Sequence, residues 1–421
     1  MAIPRTSRLP VGWKLVRVGE IVTSRRLPIT PTLSGQYREI GIRSHGKGIF
    51  HKPFVSGATL GDKRVFHVVP GCLVLNIVFA WEGAVAATSD AESGMIASHR
   101  FPMFSPTHHS SVDIDFLRRY FISPEGVKLL GDASPGGAGR NRTLNQSDFA
   151  SIRLPLPPLP EQKKIAAVLS SVDAAIEKTE AVIAQLQVVK KAMMEQLLTK
   201  GMPGRHTRFK QTELGEIPEE WEVAALGDVS ETRSGGTPDR QRPDYWCGSI
   251  PWIKTAEVNY SLIESAEESI TEEGLKNSAA HVFPIGTILM AMYGQGTTRG
   301  RVAILGIPAA TNQACLGITP GARLCTQYLF QWLKDQYDSI RKIGNEGAQK
   351  NLNAGLIRSL RIPIPHIDEQ KFIAKSLDSI DARCSSEQLI MRQLTAVKSS
   401  LSSSLLSGEL RVPTDSVPCP V

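Results

Sequence analysis

At 421 residues the chain is longer than one hydrophobic core usually supports, and this length predicts roughly two to four domains. Hydrophobic residues make up 41% of the chain and charged residues 21%, which excludes a largely disordered protein. The formal net charge of +7 permits attraction to nucleic acid or another anionic surface without requiring it.

The N-terminus has no apolar stretch after its first basic residue, and no uncharged apolar run reaches the ~18 residues of a membrane span. We therefore expect a cytoplasmic protein that has no membrane partner. The six cysteines contain no C-x-x-C pair, a pattern that argues against both a zinc ribbon and a disulfide framework.

An internal repeat extends over most of the chain. The segment ending in Trp13 is similar to the segment ending in Trp221, and the two tryptophans lie 208 positions apart. A Pro-rich stretch precedes Glu161 and a similar one precedes Glu369, at the same offset of 208. The register continues without a gap through the pairs Ile165 and Ile373, Ala166 and Ala374, Leu169 and Leu377, Asp173 and Asp381, Leu186 and Leu394, Val189 and Val397, and Lys190 and Lys398.

Each copy begins with a globular part of about 150 residues that contains short apolar and β-branched runs bounded by glycine and proline. Residues 72–79 and 287–292 are the clearest of these runs and are predicted to be strands. The predicted fold class is therefore α+β, with two globular heads and two long helices related by a pseudo-twofold repeat.

The first helix is predicted to start near Pro160, with Glu161 stabilised at the positive end of the helix dipole. It is expected to end at Gly201, which can adopt a left-handed cap before Pro203. Apolar residues spaced by three and four predict a coiled-coil seam. The predicted seam is Ile165, Val168, Val172, Ala175, Thr179, Val182, Leu186, Val189 and Met193.

The second copy carries a similar apolar stripe, and two such helices are expected to pair as antiparallel coiled-coil helices. The stripe is Ile373, Leu377, Ile380, Cys384, Met391, Leu394, Val397, Leu401 and Leu405. The polar segment between Met202 and Gly215 is expected to be an exposed linker. Lysines on the outer faces of the helices, such as Lys163, Lys164, Lys190 and Lys191, are either solvated or available to a partner protein.

No catalytic motif is recognisable in the chain. The phosphate loop G-x-x-x-x-G-K-[ST], the zinc motif H-E-x-x-H and the nucleophile elbow G-x-S-x-G are all missing. The glycines of residues 294–300 have the wrong spacing for a dinucleotide fingerprint. Asp148 with Glu161 and Lys163 imitates a metal-nuclease pattern, but the second copy has no equivalent aspartate. We therefore expect no catalytic residue, no cofactor and no metal on this chain.

The repeat, the segment Leu156-Pro157-Pro158-Leu159-Pro160-Glu161-Gln162 and the long helix after it resemble the specificity (S) subunit of type I restriction-modification enzymes. The resemblance covers essentially the whole chain. The second head adds motifs that look like a recurring recognition-domain type of that family. These motifs are Ser234-Gly235-Gly236-Thr237-Pro238, Pro243-Asp244-Tyr245-Trp246, Ile250-Pro251-Trp252-Ile253-Lys254-Thr255, Met292-Tyr293-Gly294-Gln295-Gly296-Thr297-Thr298-Arg299-Gly300 and Thr311-Asn312-Gln313-Ala314-Cys315.

The resemblance implies a non-catalytic DNA-binding subunit that reads a bipartite, asymmetric sequence in double-stranded DNA, one half per head. It also implies two methyltransferase (M) subunits that hold S-adenosylmethionine, and two restriction (R) subunits that use ATP and Mg. The predicted organisation is target-recognition domain 1 at 1–157, helical spacer 1 at 158–202, a linker at 203–216, target-recognition domain 2 at 217–365, helical spacer 2 at 366–412 and a tail at 413–421.

Base readout needs hydroxyl, amide and guanidinium groups on loops, whereas phosphate contacts need only positive charge. In the second head the candidates for DNA contact are Tyr293, Gln295, Thr297, Thr298, Arg299, Arg233, Ser234, Thr237, Lys254 and Thr255. The alternative for residues 293–300 is a tight, solvated hairpin. Trp246 and Trp252 are interpreted as domain core.

In the first head a basic cluster near the early strands is the candidate for DNA contact, with a solvated charged face as the alternative. It comprises Arg25, Arg26, Arg43, His45 and Lys47. Both copies also carry basic and amide residues in a Gly-rich segment before the long helix, where the alternative is a polar connecting loop. These are Arg140, Asn141 and Arg142 in the first copy and Gln349, Lys350 and Asn351 in the second.

Two other function classes compete with a specificity subunit. A protein-binding coiled-coil scaffold would make no sequence-specific DNA contact, and the diverged heads argue against it. A self-contained nuclease or methyltransferase would need catalytic and cofactor motifs, such as N-P-P-[FY], that the sequence lacks.

Overall fold

The structure, a computed structural model, describes residues 9–107, 112–136, 142–294, 296–343 and 352–413. The chain divides into two compact units. Unit 1 contains Met1–Glu180 and Leu389–Val421, and unit 2 contains Ala181–Gln388. Each unit therefore combines one globular head with half of each long helix.

The first head is built from short strands and short helices. Its strands are β1 (Lys14–Arg17), β2 (Val22–Arg25), β3 (Pro28–Ile29), β4 (Gln36–Ile42), β5 (Ile49–Ser56), β6 (Val65–His67), β7 (Leu73–Leu75), β8 (Val85–Ala87), β9 (Ile96–Ser98), β10 (Met103–Pro106) and β11 (Arg153–Leu156). Its helices are α1 (Val18–Ile21), α2 (Gly57–Leu60), α3 (Ile114–Ile122), α4 (Pro124–Asp132) and α5 (Gln146–Ser151). The first long helix, α6 (Leu159–Thr199), follows β11.

Three antiparallel or mixed sheets form this head. The pair β1–β11 connects the start of the chain to the start of α6, and the other two sheets have the orders β2-β10-β7-β8 and β3-β6-β9-β4-β5. The central strand β7 is fully buried, which confirms that residues 72–79 contain a strand. The strand is shorter than predicted because the Asn76 side chain accepts a hydrogen bond from the Val78 amide and starts a turn (3.1 Å).

The second head repeats this construction with a small hairpin added. Its strands are β12 (Phe209–Thr212), β13 (Gly215–Pro218), β14 (Glu222–Ala225), β15 (Ser230–Ser234), β16 (Trp246–Ile253), β17 (Leu262–Ile263), β18 (Glu268–Ile270), β19 (Ile288–Ala291), β20 (Val302–Leu305), β21 (Ala310–Thr311), β22 (Cys315–Pro320) and β23 (Arg361–Ile364). Its helices are α7 (Leu226–Val229), α8 (Glu272–Lys276), α9 (Thr326–Asp335), α10 (Tyr337–Ile343) and α11 (Ala354–Arg358), and the second long helix is α12 (Ile367–Ser407).

The sheets of the two heads correspond. The pair β14–β23 has the position of β1–β11, and the order β15-β22-β19-β20-β17 contains the counterpart of β2-β10-β7-β8. The remaining strands form the pair β12–β13 and a sheet of order β18-β16-β21. The second predicted strand, residues 287–292, is observed as β19 and is buried on both faces. The α+β prediction with a duplicated unit is confirmed.

Within each unit the two long helices run antiparallel and share the hydrophobic core of the head. In unit 1, Ile165 and Leu169 of α6 pack in one cluster with Leu405 of α12 and with Trp13. In unit 2, Leu197 of α6 belongs to the cluster of Ile373 and Leu377 of α12. Because the helices complete each head core, the heads are not separate from the helices that carry them.

One row of the predicted α6 seam is wrong. Val182 and Val189 are 40% and 38% exposed, so they do not line the contact. The more deeply packed row lies one residue further along: Leu169, Ile183 and Leu197 are buried, and Ile176 and Lys190 between them are half-buried. A lysine interrupts the apolar pattern of this row, and for that reason the hydrophobic periodicity favoured its neighbour. In α12, Val397 is likewise exposed, and Lys398 is half-buried.

Both lysines are neutralised by repeat-related aspartates. In unit 1, Lys398 pairs with Asp173 (2.6 Å), which also accepts from Arg119 of α3 (2.9 Å). In unit 2, Lys190 pairs with Asp381, which also binds Lys334 of α9 (2.9 Å). Each aspartate therefore joins three elements, and the expectation of a solvated Lys190 is wrong.

The two glutamates at the helix starts do more than stabilise the first turn. Both are buried and accept the indole N–H of the repeat-related tryptophan, Trp13 for Glu161 and Trp221 for Glu369 (3.1 Å each). Arg411 binds Glu161 through two nitrogens (2.7 and 2.9 Å). The interpretation of these carboxylates as helix-start residues alone is therefore incomplete.

The expected linker is ordered against the second head. His206 is only 5% exposed at its side chain and contacts Glu369 through Nε2 (2.8 Å), and the Met202 amide donates to the same carboxylate (2.8 Å). β12 forms a hairpin with β13. Most of the residues around these contacts are exposed, but the segment is bound to the second head and does more than connect two domains.

Gly201 ends α6 in the left-handed region (φ 74°), as predicted. An added Cβ would lie 2.5 Å from Glu369 Oε1 and 2.8 Å from Trp221, whereas a Cβ at Gly204, with a similar φ of 75°, would meet nothing within 4 Å. Gly204→Ala should cost about 1 kcal/mol for its backbone conformation. Gly201→Ala should cost at least about 2 kcal/mol more because of the overlap. Urea unfolding of both variants measures the difference, and equal costs would show that the contact with Glu369 is unimportant.

Candidate nucleic-acid interface

Two groups of predicted contact residues in the second head meet at one edge of its five-stranded sheet. β15 and β19 both run antiparallel to β22, which lies between them, so their carboxyl ends reach the same edge. Arg233 and Ser234 end β15, and residues 293–300 follow β19. The structure thus brings together two segments separated by about 60 residues of sequence.

Side chains connect the segment after β15 to the other motifs of this head that carry the family resemblance. Thr237 donates from its hydroxyl to Gln313, and Trp252 donates from its indole to the Gly236 carbonyl (3.0 Å). The Thr255 hydroxyl bonds Asn312 (3.0 Å). Trp252 is buried, which confirms its interpretation as core. The separate motifs of this head therefore form one hydrogen-bonded cluster.

Lys254 lies at the end of β16 with its charge already compensated. Its ammonium pairs with Glu267 (2.6 Å) and Glu268 (3.3 Å). Hydrogen bonds from Lys254 to these two carboxylates raise the pKa of its amine above the usual value. A phosphate would have to compete with two carboxylates for this lysine, which makes it a weaker candidate than the arginines.

The loop of residues 293–300 is exposed at Tyr293 and Thr297 but buried at Arg299, which is 9% exposed. Side chains of helix α10 hold the loop by its backbone carbonyls. Arg341 donates to the carbonyls of Arg299 (3.0 Å) and Gly296 (2.8 Å), and the Tyr337 hydroxyl donates to the Thr297 carbonyl. These bonds fix the backbone of the loop at residues 296, 297 and 299, which lowers the entropic cost of binding there. Gln295 lies outside the described residues.

His281 is a residue of this edge that the sequence did not suggest. Both ring nitrogens are buried and have no hydrogen-bond partner among the described residues, and the ring lies 4.0 Å from that of Phe283 between centroids. Burial, and then the nearby Arg233, lower the pKa of His281 below its usual value. The histidine therefore stays neutral beside the candidate Arg233.

In the first head the basic candidates lie at the corresponding edge. Arg25 ends β2 and donates to the Ser105 hydroxyl (2.9 Å), and Arg26 donates to Gln146 (3.0 Å). Arg43 stacks on the Phe50 ring (4.8 Å from guanidinium carbon to centroid), and Lys47 is exposed in the β4–β5 turn. Arg142 stacks on Trp81 (5.7 Å).

The Gly-rich segments before the long helices lie mostly outside the described residues, which include neither Arg140 and Asn141 nor Gln349, Lys350 and Asn351. Their described flanks show where they lead. The Leu144 amide donates to the Ile77 carbonyl (2.8 Å), and the Leu352 amide donates to the Met292 carbonyl (3.3 Å). In both heads a described residue C-terminal to this segment, Leu144 or Leu352, therefore lies beside the loop that follows the central strand.

No group of three or more His, Cys, Asp or Glu side chains among the described residues is arranged to hold a metal ion. No described helix is long and apolar enough to cross a membrane.

Comparison with known proteins decides the family. The model of the type I restriction modification DNA specificity domain matches residues 10–188 and again residues 218–396. The chain belongs to this family. The two matches coincide with the two copies of the internal repeat, so each copy is one specificity domain.

Relatives of this specificity-domain protein match along nearly the full chain. The MjaVIII specificity subunit of Methanocaldococcus jannaschii is 26% identical over 96% of this chain and 94% of its own length. The crystal structure of a type I restriction-modification S subunit from M. genitalium has a TM-score of 0.58 at 13% identity, over 96% of this chain and 98% of that one. A chain from a study of complex assembly in the type I R-M system has a TM-score of 0.53 at 17% identity, over 96% and 100%.

Proposed function

We propose that this specificity-domain protein reads a bipartite, asymmetric sequence in double-stranded DNA, with one half-target assigned to each head. The proposal is supported mainly by one observation: the two heads share a fold but present different side chains at the corresponding edge of the sheet. The equivalent strands β2 and β15 both present an arginine, Arg25 and Arg233, but the neighbouring candidates differ: Arg43 and Arg142 in the first head, and Tyr293 and Thr297 in the second. Different side chains beside a shared arginine suit different bases.

All predicted contact residues belong to this proposal, including those outside the described ranges. Among the described candidates, Tyr293, Thr297, Thr298, Ser234 and Thr237 offer aromatic or hydroxyl groups, and Arg25, Arg26, Arg43, Lys47, Arg142 and Arg233 offer positive charge. Side chains with hydroxyl and guanidinium groups suit base edges, and lysine suits phosphates. Because Arg299 is buried, we assign it to stabilising the loop and not to the surface that the loop exposes.

We further propose that the chain itself carries out no catalytic step and acts in the cytoplasm within a larger complex. Two methyltransferase subunits would supply S-adenosylmethionine, and two restriction subunits would supply ATP and Mg. A relative comes from a study of complex assembly of the type I R-M system, and this supports the assignment to a complex. Exposed faces of the long helices, including Lys163 and Lys191, are candidates for docking these partners.

Genome-wide mapping of methylated adenine with and without this gene tests the function. We expect one bipartite motif to disappear when the gene is deleted and to return when it is supplied in trans. The partner genes must be expressed in the strain, and the partner-dependent motifs of other systems serve as the internal control. An unchanged map would contradict the proposal and favour a protein-binding scaffold.

The length of the long helices should set the unread gap between the half-targets, because both helices continue from one unit into the other. Inserting four residues, about one helical turn, within residues 174–190 and at the equivalent place in α12 should lengthen the gap. Seven-residue insertions provide a second pair of variants that preserve the heptad register. Methylation mapping reports the gap directly, and a motif unchanged by either insertion would refute this dependence.

A further inference from the structure

The sequence pointed to a reading loop only in the second head, but the sheet topology identifies its counterpart in the first. Residues 293–300 connect β19 to β20, the third and fourth strands of the order β15-β22-β19-β20. In the corresponding order β2-β10-β7-β8, residues 76–83 connect β7 to β8. We call residues 76–83 the first-head loop.

A second, independent contact supports the correspondence. The Leu144 amide donates to the Ile77 carbonyl within the first-head loop, and the repeat-related Leu352 amide donates to the carbonyl of Met292, the residue just before the loop 293–300. Leu144 and Leu352 are 208 positions apart, which is the offset of the repeat. Both loops therefore have the same strand before them and the same neighbouring segment beside them.

The first-head loop is held in one conformation. The Trp81 indole donates to the Val78 carbonyl (3.0 Å), and Gly83 closes the turn Ala80–Glu82 with a positive φ of 72°. The β4–β5 turn packs against it, since the amides of His45 and Gly46 donate to the carbonyls of Glu82 (2.8 Å) and Gly83 (3.0 Å). These bonds fix which side chains the loop presents.

Its surface has the chemistry of a nucleic-acid contact. Phe79 is 37% exposed at the tip, and Arg142 stacks on the half-buried Trp81. The Glu82 carboxylate accepts a hydrogen bond from the Ser44 hydroxyl (2.9 Å). Among the described residues, no carboxylate forms an ion pair with Arg43, Lys47 or Arg142. The exposed ring suits contact with a thymine methyl group. The cations around it, which form no ion pair with a described carboxylate, suit guanine or phosphates.

We propose that the first-head loop contacts bases of the first half-target, with Phe79 and Arg142 as specificity-determining residues. This inference deepens the proposed function and rests on it. The loop replaces the early basic cluster as the centre of the first-head surface, and Arg43 and Lys47 flank it.

The test uses the full chain in complex with its methyltransferase subunit, expressed as Phe79→Ala, Arg142→Ala and wild type. Adenine methylation is mapped for each, and binding is measured to a duplex carrying the motif mapped for the wild type. We expect each variant to bind that duplex roughly tenfold or more weakly and to relax bases in one half-target only. Tyr293→Ala should relax bases in the other half.

The matched control is a cation and aromatic pair elsewhere in the same head. Phe54 is 64% exposed on β5, and Arg38 of β4 stacks on it at 5.4 Å. Phe54→Ala and Arg38→Ala should leave the motif and the affinity unchanged. Thermal unfolding checks each variant, and Phe79→Leu and Arg142→Gln replace any alanine variant that loses its unfolding transition.

The outcomes separate the two proposals. A wild-type complex that methylates no bipartite motif would contradict the proposed function itself. A normal wild-type motif that stays unchanged in both loop variants would overturn only the assignment of the first-head loop. Affinity lost equally on duplexes of any sequence would also overturn it, because that result describes phosphate contact without base readout.

Discussion

Glu369→Ala is expected to lower the free energy of unfolding by about 3 kcal/mol or more, since it removes one acceptor from three donors at once. The carboxylate is buried and accepts from the Trp221 indole, the Met202 amide and His206. With an alanine there, Trp221 and the Met202 amide would be left with unsatisfied N–H groups. Urea unfolding, with hydrogen exchange to locate the loss in unit 2, measures the effect.

Two other carboxylates, Glu161 and Glu220, serve as controls for Glu369. Glu161→Ala should cost less, because its partner Arg411 is 42% exposed at the side chain and can be rehydrated. Glu220→Ala removes the other carboxylate of His206, but Glu220 is exposed, so little change is expected. If Glu369→Ala and Glu220→Ala behaved alike, the buried carboxylate would not be the residue that holds the segment after α6.

Asp381→Asn is expected to cost about 2 to 3 kcal/mol at neutral pH, because it leaves two largely buried cations without a counter-charge. The side chains of Lys190 and Lys334 are 17% and 21% exposed and both pair with Asp381. Adding Lys334→Met to the Asp381→Asn variant should recover part of the loss. The second substitution removes one unpaired charge and fills the same space with an apolar side chain. Asp173→Asn should be milder, because Arg119 retains Asp115.

The contribution of Asp381 should also depend on pH. Burial raises the pKa of this carboxyl, but hydrogen bonds from Lys190 and Lys334 lower it more, so the pKa in the folded protein lies below its usual value. A depressed pKa means that the stabilisation is present above the unfolded value of about 3.9 and is lost as the pH falls below it.

Urea unfolding of wild type and Asp381→Asn at pH 7 and near pH 3 checks the sign. The difference between the two proteins should shrink at the lower pH, where the wild-type carboxyl begins to bind a proton. A difference that stays constant across this range would contradict the ion-pair assignment. Asp173, whose pKa is lowered in the same way by Lys398 and Arg119 against its burial, should show the same direction.

Some features were predictable because they depend on residues close together in the chain. The start of α6 near Pro160, its left-handed end at Gly201 and the buried strand in residues 287–292 follow from local patterns and are observed. Residues 72–79 show the limit of this reasoning. Their apolar run continues past Leu75, but the side chain of Asn76 turns the backbone and converts the remainder into the first-head loop.

The prediction of the helix seam was partly wrong for a different reason. Hydrophobic periodicity chose Val189 over Lys190 because a lone lysine looks like a surface residue. Only the fold reveals that Asp381, nearly two hundred residues away, supplies the charge that allows Lys190 to lie in the contact. For the same reason the sequence did not indicate that Glu161 and Glu369 bind tryptophans, since each partner lies 148 residues earlier in the chain.

The sequence alone was sufficient for the duplication, the α+β class, the two long helices and the family resemblance, because a repeat and its periodicity are preserved in the order of the residues. The pairing of strands decided the rest. β22 places the ends of β15 and β19 at one edge, and β10 does the same for β2 and β7, so segments distant in sequence become one surface. Hydrogen bonds between strands carry no signal in the local sequence, and for that reason the position of the first-head loop, equivalent to residues 293–300, followed only from the three-dimensional structure.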